Sequence, residues 1–217
     1  MKRVTAFLEE YKYLIALVST FNFLLTPIHI DVSGFNATHV VVINYSLVIL
    51  ASSLIAANTK TRARTYLLGL VALSFIWIEY MGKVSTTIEL LRLISSLVLF
   101  SNFCVLLVQQ LRTIKTMNLK FILGPLLGFI YLGIIGGIIF EFTHLIDPTS
   151  FQFTQNFSGY SFYYFSFISI TTVGYGDITP LTASAQSLTL VMNIIGQFYL
   201  AIVIAVFVGK YINEKPK

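Results

Sequence analysis

Charge is scarce in this sequence: 11% of its 217 residues are Asp, Glu, Lys or Arg, while 56% are hydrophobic. A soluble domain carries about a quarter charged residues, because it must cover its core with a solvated surface. The composition therefore excludes an ordinary soluble domain and fits a chain whose solvent is a bilayer. Cysteine is almost missing too, and Cys104 alone excludes an intrachain disulfide framework or a zinc site built from cysteines. No internal repeat or low-complexity tract occurs. Glu141 and His144 form an E-x-x-H pair of the kind that binds metal on bundle helices, but no second such motif accompanies it. The pair is read as structural, with metal binding as the alternative. The three histidines, His29, His39 and His144, fall near the ends of apolar runs, so no intramembrane hydrolase site is evident. No catalytic residue is assigned and no enzymatic activity is expected.

What the sequence has is uncharged runs, six of them, over 13–30, 32–59, 65–78 (extended by Glu79), 93–111, 121–140 and 178–209. A spanning helix needs about 20 residues. The fifth run fits well, the sixth exceeds the need, and the third must include Glu79 to cross. The first could be a cleaved signal peptide, but it is long, contains Pro27, and no small-residue cleavage site follows. It is read as a retained span. The fold class expected is an all-α membrane protein with six transmembrane helices.

The basic residues set the expected orientation. Lys2, Arg3 and Lys12 precede the first run, and Lys60, Arg62 and Arg64 join the second and third. Arg112, Lys115 and Lys120 join the fourth and fifth, and Lys210, Lys215 and Lys217 follow the sixth. These are twelve of the fourteen basic residues, and by the positive-inside rule they and both termini are cytoplasmic. The net charge of +5 thus reflects topology, not nucleic-acid binding, and suits anionic lipid headgroups. Sequons at Asn36 and Asn156 fall on the outer side. The location expected is the plasma membrane.

Between the fifth and sixth runs, "SGYSFYYFSFISI" is too short to cross and too apolar for a free loop. It is expected to enter the membrane as a short helix and return as the extended chain "TTVGYGD", residues 171–177. Non-helical backbone at membrane depth must be buried in protein or line a watery cavity. Gly174 and Gly176 can take backbone angles closed to other residues. Alternated with Val173 and Tyr175, they let successive carbonyls point to one side and replace an ion's hydration shell, with the Thr172 hydroxyl extending the row. One chain supplies one wall of such a cage, and four copies close it.

This heptad, in this arrangement of span, short helix, loop and span over about residues 121–210, resembles the signature of tetrameric potassium channels, whose filters are built from four such loops. The resemblance implies a homotetramer passing potassium, with Thr172, Val173, Gly174, Tyr175 and Gly176 as the filter and no cofactor beyond the permeant ion. It divides the chain into a sensor-like four-helix domain, 1–115, and a pore domain, 116–217. The pore domain would comprise an outer helix at about 120–145, a pore helix at about 159–171, filter 172–176 and an inner helix at about 182–210.

Further roles follow from the same resemblance. Thr171 and Asp177 flank the filter. Tyr164 and Phe165 stand where the family often has paired tryptophans, and would pack around Tyr175. Ile168 replaces a glutamate found behind some filters. Gly196 occupies a hinge position, with close packing against the glycine-rich fifth span (Gly124, Gly128, Gly133, Gly137) as the alternative. Glu141 would tie outer helix to loop. On the sixth span, Asn193, Gln197, Leu200, Ile204 and Val208 share one helical face. They are expected to line a wet cavity and gate, or else to hydrogen-bond between helices. Pro125 is expected to bend or loosen the first turn of the fifth span.

Six spans and one pore loop also resemble the voltage-gated superfamily, yet the sensor's residues are missing. The fourth span carries Arg92 near one end, Arg112 beyond the other, and nothing basic between them. Glu79 or Glu89 could neutralise Arg92. The expectation is a channel gated weakly by voltage or not at all, with a minimal sensor as the alternative. With seven residues after Lys210, no nucleotide- or calcium-binding domain is expected. A four-repeat potassium transporter needs repeats that this chain does not contain, and an intact filter argues against a non-conducting, channel-modifying subunit.

Overall fold

The structure, a computed structural model, describes residues 2–33, 37–56, 60–82, 85–113, 119–154 and 159–213. Asn36, Lys83, Lys115, the 156–158 sequon, Lys215 and Lys217 lie outside them. The chain runs as helices α1 (Lys2–Leu24), α2 (Thr26–Ser33), α3 (Ala37–Ser53), α4 (Arg62–Tyr80), α5 (Thr86–Thr113) and α6 (Leu119–Ile146), then strand β1 (Phe151–Phe153). Helix α7 (Tyr160–Ile170), strand β2 (Ile178–Pro180) and helix α8 (Ala183–Asn213) follow.

Local chemistry accounts for the breaks. The expected first span divides at Leu25, where Pro27 in the first turn of α2 brings a fixed φ and no N–H. Helix α4 ends on Gly82, whose φ of 84° is the left-handed conformation that closes helices. Its amide donates to the Glu79 carbonyl at 3.1 Å. Ser85 starts α5 by accepting from the Ile88 amide at 3.3 Å. After α6, the Asp147 carboxylate accepts from the Thr149 hydroxyl at 2.6 Å and amide at 2.9 Å. Those two bonds, the hydroxyl first, hold the Asp147 carboxyl below the usual carboxylate range. Pro125 lies inside α6 rather than ending or starting it.

Four helical segments among the described residues are long and apolar enough to cross a membrane: Thr38–Ala56, Thr86–Arg112, Leu119–Ile146 and Ala183–Gly209. With the sequence composition, they make this an all-α integral membrane protein. Helices α1 and α4, which carry charges near their ends, are not among the four.

Helices α1, α3, α4 and α5 share one apolar core with α6, in which Phe100 and Phe103 are fully buried around Tyr131. The Tyr131 hydroxyl donates to Ser52 Oγ at 2.5 Å, joining α6 to α3. At one end of this bundle the Ile55 carbonyl, just past α3, accepts from Gln110 Nε2 at 2.7 Å and Lys12 Nζ at 3.3 Å. That satisfies a helix-end carbonyl with donors from two other helices. The four-helix group thus packs on the α6 of its own chain. A second cluster, centred on Phe140, Phe162 and Phe165, joins α6, α7 and β1.

Candidate functional site

Helix α7 is short because the chain must turn at its end, and it lies between α6 and α8 in notches cut by glycine. A Cβ on Gly133 would strike the Phe167 ring, and one on Gly136 the Ser166 hydroxyl. On Gly137 it would come within 2.9 Å of the Tyr163 Cα. From the other side, a Cβ on Gly196 would lie 2.8 Å from the Ile170 Cβ. Gly196 is therefore a close-packing position, but its partner is α7 and not the glycine-rich α6. Within α6 the remaining notches serve other neighbours: Gly124 faces Leu111 of α5, and Gly128 faces the Tyr199 hydroxyl of α8. That hydroxyl donates to the Pro125 carbonyl at 2.6 Å.

The loop after α7 hangs from carbonyls that the helix leaves free. Thr171 N donates to Phe167 O at 3.1 Å and Thr172 N to Ser169 O at 3.0 Å. The Ile168 carbonyl accepts both Val173 N at 2.9 Å and Gly174 N at 3.0 Å. Thr172, Gly174 and Gly176 all have positive φ, 62°, 54° and 79°, whereas Val173 and Tyr175 do not. Such alternation turns successive peptide units in a way an ordinary strand cannot. The two glycines suit it; Thr172 is the one described non-glycine residue with positive φ, a conformation costly for a β-branched side chain. Its hydroxyl donates to the Thr171 carbonyl at 2.6 Å, and the Thr171 hydroxyl to Phe167 O at 2.6 Å.

The loop's far end is fixed as well. Strands β1 and β2 pair antiparallel, Phe151 with Pro180 and Phe153 with Ile178. Thr154 N donates to the Asp177 carbonyl at 3.0 Å, and Leu181 N to Ser150 O at 2.8 Å. Tyr164 lies close enough to Asp177 and Tyr175 for its phenol to feel both. Phe165 instead packs on Phe140 and Phe151, with ring centroids 5.0 and 5.5 Å away. Between these anchors residues 171–176 are exposed in the single chain, Tyr175 at 72%.

On α8, Gln197 Nε2 donates to the Ile170 carbonyl at 3.0 Å, so this amide holds α8 to the end of α7. Asn193 Oδ1 is buried without a partner. Leu200 is half-buried, while Ile204 and Val208 are exposed.

Two features escaped the sequence reading. The first is the second partner of Arg92: besides Glu79, expected from the sequence and found with Oε2 at 2.5 Å from Nε, the guanidinium meets Glu141 Oε1 at 2.6 Å from Nη2. Glu141 therefore joins α6 to α5, not to the following loop as expected. The second is the positive φ of Thr172. His144 packs edge-on against Phe153 and tilted against Phe162, with ring centroids 5.7 and 5.3 Å away. No group of three or more metal-ligating side chains occurs among the described residues.

Residues 127–213, from within α6 through α7 and the loop to the end of α8, match the family described as ion channel. This stretch is similar to ion channels, and the match supports ion conduction by a membrane protein over enzymatic chemistry. No curated protein and no solved structure matches the chain.

Proposed function

We propose that this protein is a potassium-selective channel, a homotetramer in which the Thr172–Gly176 loops of four chains form the filter. One observation carries the reading: left-handed backbone at Thr172, Gly174 and Gly176, alternating with Val173 and Tyr175, in a loop anchored at both ends. Backbone of this kind can present successive carbonyl oxygens to a dehydrated ion. Exposure supports the tetramer, because 11% of an 18-residue apolar stretch of Ala183–Gly209 is buried within the chain, against 67% of one in Leu119–Ile146. A helix so bare on several sides has room for neighbouring chains as well as lipid.

Six spans, a re-entrant α7 and cytoplasmic termini complete the proposal. Lys12 and Gln110 meet at one end of the bundle while Glu79, Arg92 and Glu141 meet at the other, as the expected topology requires. The inner basic residues would face anionic headgroups of the plasma membrane. Voltage dependence is weak, because the single candidate charge is held between two carboxylates.

Reconstituted protein should pass potassium and rubidium far better than sodium and should run as a tetramer in mild detergent. A reversal potential near zero with potassium opposite sodium overturns the selectivity, and a mass of monomer or dimer alone overturns the assembly.

A further inference from the structure

A cavity of about 400 Å³ opens beside the Arg92 ion pair, where α1 to α7 converge. It is separate from the filter loop: none of residues 171–177 lines it. Its walls include Phe23, Tyr45, Tyr160 and Tyr163 together with Glu79 and Glu141. A space of this size falls within the range that holds small organic ligands.

The polar atoms around it are unevenly satisfied. Among the described residues Glu79 and Glu141 share one guanidinium, which leaves one carboxylate charge in excess, and Glu89 adds to the field at the same end. Glu141 spends Oε1 on Arg92, but its Oε2 is buried with no hydrogen-bond partner. The Tyr45 hydroxyl, on a side chain 5% exposed, makes no close hydrogen bond and has the Ser96 and Tyr163 hydroxyls as neighbours. A buried acceptor left unmade is costly, more so when charged. The missing group is therefore a donor, and the excess of carboxylate calls for a positive one. An anion would meet two carboxylates before the neutralised Arg92. A quaternary ammonium offers charge but no N–H. The rings of Phe23, Tyr160 and Tyr163, which pack against one another, provide faces that attract cations and an apolar bed for a short carbon chain.

We propose that this cavity binds a protonated primary amine, its ammonium donating to Glu141 Oε2 and Tyr45 and its carbon chain lying on the aromatic wall. Two sources share that chemistry: a soluble alkylamine and the headgroup of an aminophospholipid.

The test is calorimetric titration of the full chain in phosphatidylcholine nanodiscs, with n-hexylammonium as probe and n-hexanol as its uncharged control. Hexylammonium should bind saturably and about tenfold or more tighter than hexanol, the factor expected for one charge-assisted hydrogen bond. Tyr45→Phe, which removes a hydroxyl, and Val41→Phe, which fills the cavity, should each weaken it by about tenfold while leaving the Arg92 pairs in place. Discs of phosphatidylethanolamine then separate the sources: weaker hexylammonium binding there assigns the site to the lipid amine, and unchanged binding assigns it to a soluble one. Absence of saturable binding, equal affinity for hexanol, or indifference to both substitutions overturns the proposal. None of these readings depends on ion flux.

Discussion

The Arg92 guanidinium on α5 lies 2.6 Å from the Glu141 carboxylate near the end of α6, across 49 residues of chain. With Glu79 on its other side, this arginine ties two helices of the N-terminal bundle to α6, the helix in whose glycine notches α7 sits. In a voltage sensor such a residue would be expected to move; here it is clamped.

The first prediction concerns voltage. Four copies of Arg92 crossing the whole field would gain about 9 kcal/mol at 100 mV, but the clamp opposes any travel. Open probability in planar bilayers should change little between −100 and +100 mV, and Arg92→Gln should leave that dependence nearly unaltered. A steep curve flattened by Arg92→Gln would identify this residue as the sensor.

The same pair makes a stability prediction. Removing the arginine strands the buried Glu141 charge, so Arg92→Gln should destabilise the protein by about 3–5 kcal/mol, while Glu141→Gln, which leaves Arg92 paired with Glu79, should cost less. Because they share one interaction, the double variant should cost well under the sum. Additive losses of thermal stability in detergent would show that the two residues act apart.

Glycines with the same backbone sign should behave differently according to place. Gly82 and Gly176 have φ of 84° and 79°, and nothing lies within 4 Å of a Cβ added to either in the single chain. Gly82→Ala should cost about 1–2 kcal/mol from strain alone and leave flux intact. Gly176→Ala should abolish selective potassium flux, because strain there reorients the carbonyls. Equal flux from both variants would remove Gly176 from the filter.

On α6, the obstacle decides the cost. Gly137→Ala drives a methyl into the Tyr163 backbone, and Gly128→Ala drives one into the hydroxyl end of the Tyr199 side chain. Overpacking typically costs about 1–3 kcal/mol; Gly137→Ala should sit at the upper end and Gly128→Ala near the lower. Reversal of that order in thermal melts would contradict the seating of α7.

The amides of α8 separate too. Gln197→Leu removes the donor to Ile170 O, leaving the carbonyl at the end of α7 unmet at a cost of about 1–3 kcal/mol. Asn193→Leu replaces an amide whose Oδ1 has no partner and should be nearly neutral in stability. Comparable losses would mean that both face the same wet space.

Helices were legible wherever their apolar runs were long. The run 121–140 sits inside α6 and the run 93–111 inside α5, because a bilayer demands length and leaves composition little freedom. The first run misled where Pro27 divides it into α1 and α2, since hydropathy does not register a missing N–H. Gly174 and Gly176 announced their own backbone, but Thr172 did not: its φ follows from the turn that hangs the loop on the Ile168 carbonyl. The Arg92–Glu141 pair was hidden by distance along the chain; the sequence offered Glu79, which does pair with Arg92, and Glu89. Strands β1 and β2, three residues each, are too short to carry a period.

Those two strands have a mechanical consequence. The loop resembles a string pinned at both ends, by the carbonyls of α7 at its root and by the β1–β2 ladder at its mouth. A pinned string cannot swing aside like a lid; it can only twist in place. Switching between a working and a silent loop would therefore proceed by rotation of the peptide planes around Val173, Gly174 and Tyr175, with β2 held still. The strand Phe151–Phe153, which pairs with β2 beyond the loop, would then set how far the mouth can relax, and loosening it should change how long the loop stays silent before it recovers.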